Sequence, residues 1–296
     1  MTSVAPEAQQ QGKVEIPMAV PVGMGLPPEQ LNQMGGVPPQ IPGAPIPTGG
    51  GLTPLMAAGF ISHETPPFQP GQNFQIMGKD SQMIFWNLSP GQEVIMQPGA
   101  LVHRAPGIEV DLKMSDFMAC LCGGEELFKT IYRNNSQTQQ HLTVSPTFWG
   151  AKFFVLHLDQ MPGGFSCKPG AFVCANSSNV QISARIVTSL GAAAGSLGFA
   201  LQTINGSGTC FIEGGGTILS KMLAPGEQMV FDQRSLLGMQ STVQLTVRRS
   251  GECCSLMMCC GGNGLLVSQV TGPGLIVIQS MPKEVVASKI MPKGDG

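Results

Sequence analysis

Charge is scarce in this chain. Lys, Arg, Asp and Glu make up 11% of its 296 residues, and the formal net charge is −2. There is a single Tyr, no basic block, and only one adjacent Arg pair, Arg248-Arg249. That excludes the basic, aromatic-laced stripe of a nucleic-acid binder. Histidine is equally thin, with four residues and no His-x-His. His103, His141 and His157 fall in separate segments, so the converging imidazoles and carboxylate of a barrel-housed metal centre are not expected. The sequence has no Gly-x-Ser-x-Gly elbow and no phosphate loop ending in Lys-Ser or Lys-Thr. Gly214-Gly215-Gly216 precedes no helical pattern and reads as a strand-connecting turn. Glu125-Glu126, adjacent on a strand, would point to opposite faces. An enzyme is therefore not expected, nor a cofactor, nor a metal site. The cysteine spacings, Cys120-x-Cys122 and adjacent pairs elsewhere, do not match structural zinc. No apolar run reaches the roughly 18 residues needed to span a bilayer.

The nine cysteines are an odd number. Thr2–Gln11 is polar and contains Glu7, so no secretory signal is read there. Free thiols in a reducing, cytoplasmic compartment are expected. No Arg precedes Arg104, unlike an Arg-rich mitochondrial presequence.

What the chain does have is Gly and Pro, 39 and 24 residues. Both favour turns over helix interiors. Fourteen of the prolines lie within residues 1–70. That segment is expected to be a disordered Pro/Gln/Gly-rich arm, with too few large apolar side chains to offset ordering entropy. Its Pro38-Pro39-Gln40-Ile41-Pro42 and Pro45-Ile46-Pro47 suit polyproline II.

From residue 72 a pattern recurs. Pro90-Gly91 and Pro98-Gly99 bracket one strand length. Pro162-Gly163 and Pro169-Gly170 bracket another, and Pro225-Gly226 opens a third whose second Pro-Gly is lost. Each Pro-Gly suits a type II turn. A glycine loop, an apolar run and a Gly-x-Gly turn close each copy. Gly198, Gly206 and Gly208 correspond to Gly264, Gly272 and Gly274, and Asn134 stands at the first turn position of the earliest copy. Asn tolerates positive φ better than most residues. Three units follow, 72–140, 141–206 and 207–283, stacked around a shared core, with a short free tail at 284–296. The expected class is all-β.

Val94-Ile95-Met96-Gln97-Pro98-Gly99-Ala100-Leu101-Val102, Cys167-Lys168-Pro169-Gly170-Ala171-Phe172-Val173, Leu223-Ala224-Pro225-Gly226-Glu227 and Gly264-Leu265-Leu266 to Gly272-Pro273-Gly274-Leu275-Ile276 resemble the altered inheritance of mitochondria protein 24 family. The resemblance covers residues 72–283. It implies a double-stranded β-helix similar to the tryptophan RNA-binding attenuation protein, with three pseudo-symmetric repeats. It also implies a structural role in mitochondrial membrane organisation, with no known reaction.

The loops preceding the glycine runs carry the least ordinary chemistry. They are Phe117-Met118-Ala119-Cys120-Leu121-Cys122, Leu190-Gly191-Ala192-Ala193-Ala194-Gly195-Ser196-Leu197 and Cys253-Cys254-Ser255-Leu256-Met257-Met258-Cys259-Cys260. Equivalent loops of a three-unit body leave from one end, which would then be apolar, and apolar faces serve partners or membranes. Cys120, Cys122, Cys253, Cys254, Cys259 and Cys260, beside Met118, Leu121, Leu256, Met257 and Met258, are candidate acylation positions. The expected function is a non-enzymatic scaffold that binds partner proteins, itself, or a membrane surface from the cytoplasmic side. A mitochondrial address is the alternative location, and a metal- or small-ligand-binding β-helix protein is the alternative function.

Overall fold

The Pro-Gly pairs set the strand spacing. Gly91, Gly99, Gly163, Gly170 and Gly226 adopt φ of 79°, 84°, 78°, 73° and 77°, the left-handed conformation that glycine enters without a Cβ clash. The computed structural model describes residues 53–114, 128–177, 179–187, 199–249 and 266–290. All of them lie within one contact unit, Pro39–Gly296.

The architecture is all-β, with antiparallel sheets. β1 (Phe60–His63) and β2 (Phe74–Met77) come first. Three sets of six strands follow. The first holds β3 (Met83–Leu88), β4 (Glu93–Met96), β5 (Leu101–Arg104), β6 (Ile108–Met114), β7 (Phe128–Asn134) and β8 (Gln140–Val144). The second holds β9 (Ala151–His157), β10 (Phe165–Cys167), β11 (Phe172–Ala175), β12 (Gln181–Val187), β13 (Phe199–Asn205) and β14 (Thr209–Gly215). The third holds β15 (Ile218–Leu223), β16 (Gln228–Asp232), β17 (Leu236–Gln240), β18 (Gln244–Arg249), β19 (Leu266–Thr271) and β20 (Gly274–Gln279).

In every set the fifth strand pairs with the second and the fourth: β7 with β4 and β6, β13 with β10 and β12, β19 with β16 and β18. The sixth pairs with the first and the third: β8 with β3 and β5, β14 with β9 and β11, β20 with β15 and β17. The sets therefore break after Val144 and after Gly215, later than glycine spacing suggests. The strand following each glycine turn folds back onto the first strand of its own set.

Successive sets are joined edge to edge. β4 pairs with β11, and β10 with β17. This yields sheets ordered β6-β7-β4-β11-β14-β9 and β1-β15-β20-β17-β10-β13-β12, with a four-stranded sheet β2-β3-β8-β5 and a three-stranded sheet β16-β19-β18. The third strand of each set carries a register shift at the same place, around Val102, Val173 and Leu237. A bulged residue drops out of its own ladder. Its carbonyl is then available to the neighbouring set: Gln97 N–H donates to Val173 O at 2.9 Å, and Lys168 N–H to Leu237 O at 3.0 Å.

The shared core expected from the sequence is three cores instead. One, including Trp86, Met96, Leu142 and Phe211, lies between the four- and six-stranded sheets. A second, including Phe154, Phe172, Ile204 and Val277, lies between the six- and seven-stranded sheets. A third, including Leu201, Leu236, Val270 and Ile276, joins the seven- and three-stranded sheets. Each set is its own sandwich because its two half-sheets face one another.

Three local expectations change. Residues 53–70 belong to the body: a one-turn helix, Pro54–Ala57, capped by Thr53, leads into β1, which pairs along β15. Four residues suffice because β15 otherwise offers an open edge. Asn134 does not take positive φ, as no non-glycine residue does among those described. It ends β7 fully buried, opposite Ile108, and its backbone bonds Gln92 and Gly91 as that of Gly272 bonds Glu227 and Gly226, so it does hold the turn-glycine position. Beyond β20, Lys283–Ile290 form a helix rather than a free tail, with no residue buried.

Candidate functional site

Met118, Cys120, Leu121, Cys122, Cys253, Cys254, Leu256, Met257, Met258, Cys259 and Cys260 lie outside the described residues. The strand ends they connect are described. Met114 pairs with Phe128, Val187 with Phe199, and Arg249 with Leu266, each closing an antiparallel ladder. The stem of the first loop exposes aliphatic side chains beside the carboxylates Glu109 and Asp111. On β6, an edge strand, Val110 and Leu112 are 46% and 66% exposed.

The other three cysteines are core residues. Cys167, Cys174 and Cys210 are buried in strands and form no disulfide. Burial pushes the Cys174 and Cys210 thiols well above the ordinary range, which removes thiolate reactivity. Gln202 Nε2 donates to the Cys167 sulfur at 3.3 Å.

Buried polar groups elsewhere are held by close neighbours. Glu213 accepts from Thr147 N–H at 2.5 Å and from the Thr147 hydroxyl. Burial raises its carboxyl above the usual range, against the two bonds from Thr147. Lys168 Nζ donates to Arg234 O at 2.5 Å and lies 3.5 Å from Glu284 on the C-terminal helix. Desolvation lowers the Lys168 ammonium below its ordinary value. Where the second Pro-Gly is missing, Asp232 accepts from Arg234 N–H at 2.8 Å and caps the 3₁₀ turn Gln233–Ser235.

Sequence spacing separated histidines that strand pairing unites. His103 on β5 and His141 on β8 have ring centroids 5.3 Å apart, with Phe85 stacked on His141 at 5.7 Å. Only the register of β3, β8 and β5 could have revealed this. Among the described residues no three His, Cys, Asp or Glu gather as a metal site. A groove of 730 Å³ runs beside β15, lined by Ala57, Gly59, Lys221, Met222, Pro225 and Pro273 among others. No helix of the described residues is long and apolar enough to cross a membrane.

These features define a layered antiparallel β protein whose distinctive sequence lies in three strand-connecting loops. The family model for "Mitochondrial biogenesis AIM24" matches residues 74–281, and the chain belongs to that family. No curated protein matches it. Among solved structures it is similar to protein SPYM3_0169 from Streptococcus pyogenes, at 20% identity and a TM-score of 0.56. That match covers 73% of this chain and 97% of the other. The likeness concerns the fold.

Proposed function

We propose that the chain is a non-enzymatic scaffold: three pseudo-symmetric repeats of a double-stranded β-helix whose loop segments 117–122, 190–197 and 253–260 make one apolar contact surface. Partner proteins or a membrane face would bind there. One observation carries this reading. All three loops join the fourth and fifth strands of a set, at the end of equivalent ladders. The two junctions between sets use the same donor position and the same bulge. A similar operation thus relates each set to the next, and corresponding loop stems leave from corresponding ends. Cys253, Cys254, Cys259 and Cys260, flanked by Leu256, Met257 and Met258, supply both greasy contact and acylation positions.

Membership of a mitochondrial biogenesis family supports a structural role in organelle upkeep. The proposed location is cytoplasmic and peripheral to a membrane, with the mitochondrion as the alternative. Copelleting of the full chain with phospholipid vesicles tests the surface. Replacing Leu256, Met257 and Met258 with Ser should release most of the bound protein while leaving the fold intact. Hydroxylamine-sensitive acyl exchange should find a thioester on the 253–260 peptide of protein from cells. If the wild-type chain neither pellets nor captures any partner through these loops, the scaffold reading fails.

A further inference from the structure

The junction between sets occurs twice inside the chain, and each end of the chain holds one half of a third. β4 joins β11, and β10 joins β17. The corresponding second strand of the last set is β16, and the corresponding third strand of the first set is β5. Both are outermost strands of their sheets, in the orders β16-β19-β18 and β2-β3-β8-β5. Neither contains a proline that would blunt the edge.

Exposure at matched positions separates used from unused halves. Val102 occupies the bulge position of β5. Its counterparts Val173 and Leu237 are 0% and 1% exposed, whereas Val102 is 52% exposed. Val230 lies six residues before the first residue of β17, as Ile95 does before β11's equivalent β5 and Ser166 before β11. Ile95 and Ser166 are 3% and 0% exposed, whereas Val230 is 61% exposed. Aliphatic side chains at positions that are buried in the two completed junctions thus face solvent in the incomplete one.

We infer that copies of this chain assemble head to tail, β16 of one copy pairing antiparallel with β5 of the next. The internal junctions supply the register. Cys174 pairs with Met96, and Gly238 with Cys167. Counted from the second turn, these place His103 opposite Phe231 and Arg104 opposite Val230. The bulge supplies the hydrogen bond: Asp232 N–H donates to Val102 O of the neighbouring copy, as Gln97 does to Val173 and Lys168 to Leu237. The three- and four-stranded sheets then fuse into one seven-stranded sheet, equal in size to the largest in the chain. Such a heterologous contact closes into a ring or continues as a filament. The inference extends the scaffold reading but uses different residues. A monomer that still pellets with vesicles would overturn the assembly and leave the loop surface standing.

The test uses the full chain and two variants at exposed positions, Val230→Lys and Val102→Asp, with mass measured by light scattering after size exclusion. Wild-type protein should run as a multiple of the chain mass, and each variant alone as a monomer. Mixed together, the variants should give a species of twice the chain mass and no larger. One intact β16 edge, from Val102→Asp, meets one intact β5 edge, from Val230→Lys, and neither complex can extend. Hydrogen exchange on the wild-type chain gives a second readout: amides of β5 and β16 should lose protection on dilution. A monomeric wild type, including one closed within a single chain, overturns the inference. So do variants that retain the wild-type mass, or a mixture that stays monomeric.

Discussion

His63 Nε2 sits 2.6 Å from Ser220 Oγ, tying β1 to β15, with the Phe154 ring edge-on at 4.6 Å. The imidazole is therefore held in an apolar wedge, and burial lowers its pKa from 6.5 to about 4. The unfolded chain takes up this proton first. The site's contribution is complete above pH 6.5, declines as pH falls towards 4, and levels off below that. The total loss is roughly 3 kcal/mol. Urea unfolding near pH 7 and near pH 4 should show it, and His63→Phe should flatten that part of the profile.

Asn134 is the most heavily bonded buried amide described. Its Nδ2 donates to Leu88 O and Thr138 O, each at 2.8 Å, and its Oδ1 accepts from Ser136 N–H and Oγ. Asn134→Asp keeps the shape but sets a carboxylate oxygen against two carbonyls. The expected cost is about 3 kcal/mol or more. Thermal unfolding of the variant should fall well below that of Asn134→Ser, which keeps a donor.

Gly238 lets the Phe165 ring lie against the backbone where β10 meets β17. A Cβ there would stand 2.3 Å from Phe165 Cε1 and 2.9 Å from Ser166 O. Gly238→Ala should destabilise by about 2–3 kcal/mol through overpacking. Adding Phe165→Leu should restore part of that loss, a coupling read from a double-mutant cycle.

Thr147 provides both described hydrogen bonds to the Glu213 carboxylate. Thr147→Val removes the hydroxyl while the side chain keeps its volume. The buried carboxylate then loses one donor, at a cost of about 1–3 kcal/mol. Thr147→Ser should stay near wild type in the same denaturant titration.

Much of the fold was legible where glycine chemistry dictated it. Five Pro-Gly turns stand where the sequence places them, because no other residue enters that φ so cheaply. The turn at Gln233–Ser235 was illegible as Pro-Gly, since Asp232 and Arg234 build it from side-chain bonds. Phe60–His63 was hidden among prolines; it is a strand only because β15 receives it. Asn134 stands at the turn position of Gly272, where spacing placed it, but it is held there by its side-chain bonds and not by positive φ. His103 and His141 are 38 positions apart, and only the β5–β8 ladder brings them together. The candidate loops were chosen by composition, and composition cannot say which strands they join. The ladders at their stems do.

Phe153 and Phe154 are consecutive, yet Phe153 belongs to the core beneath the four-stranded sheet and Phe154 to the core beneath the seven-stranded one. β9 is thus a party wall between two sandwiches. Damage on one side of it need not be felt on the other, since side chains one residue apart answer to different neighbours. The chain can accordingly tolerate change in one sandwich while the next keeps its packing, a form of compartmentalised robustness.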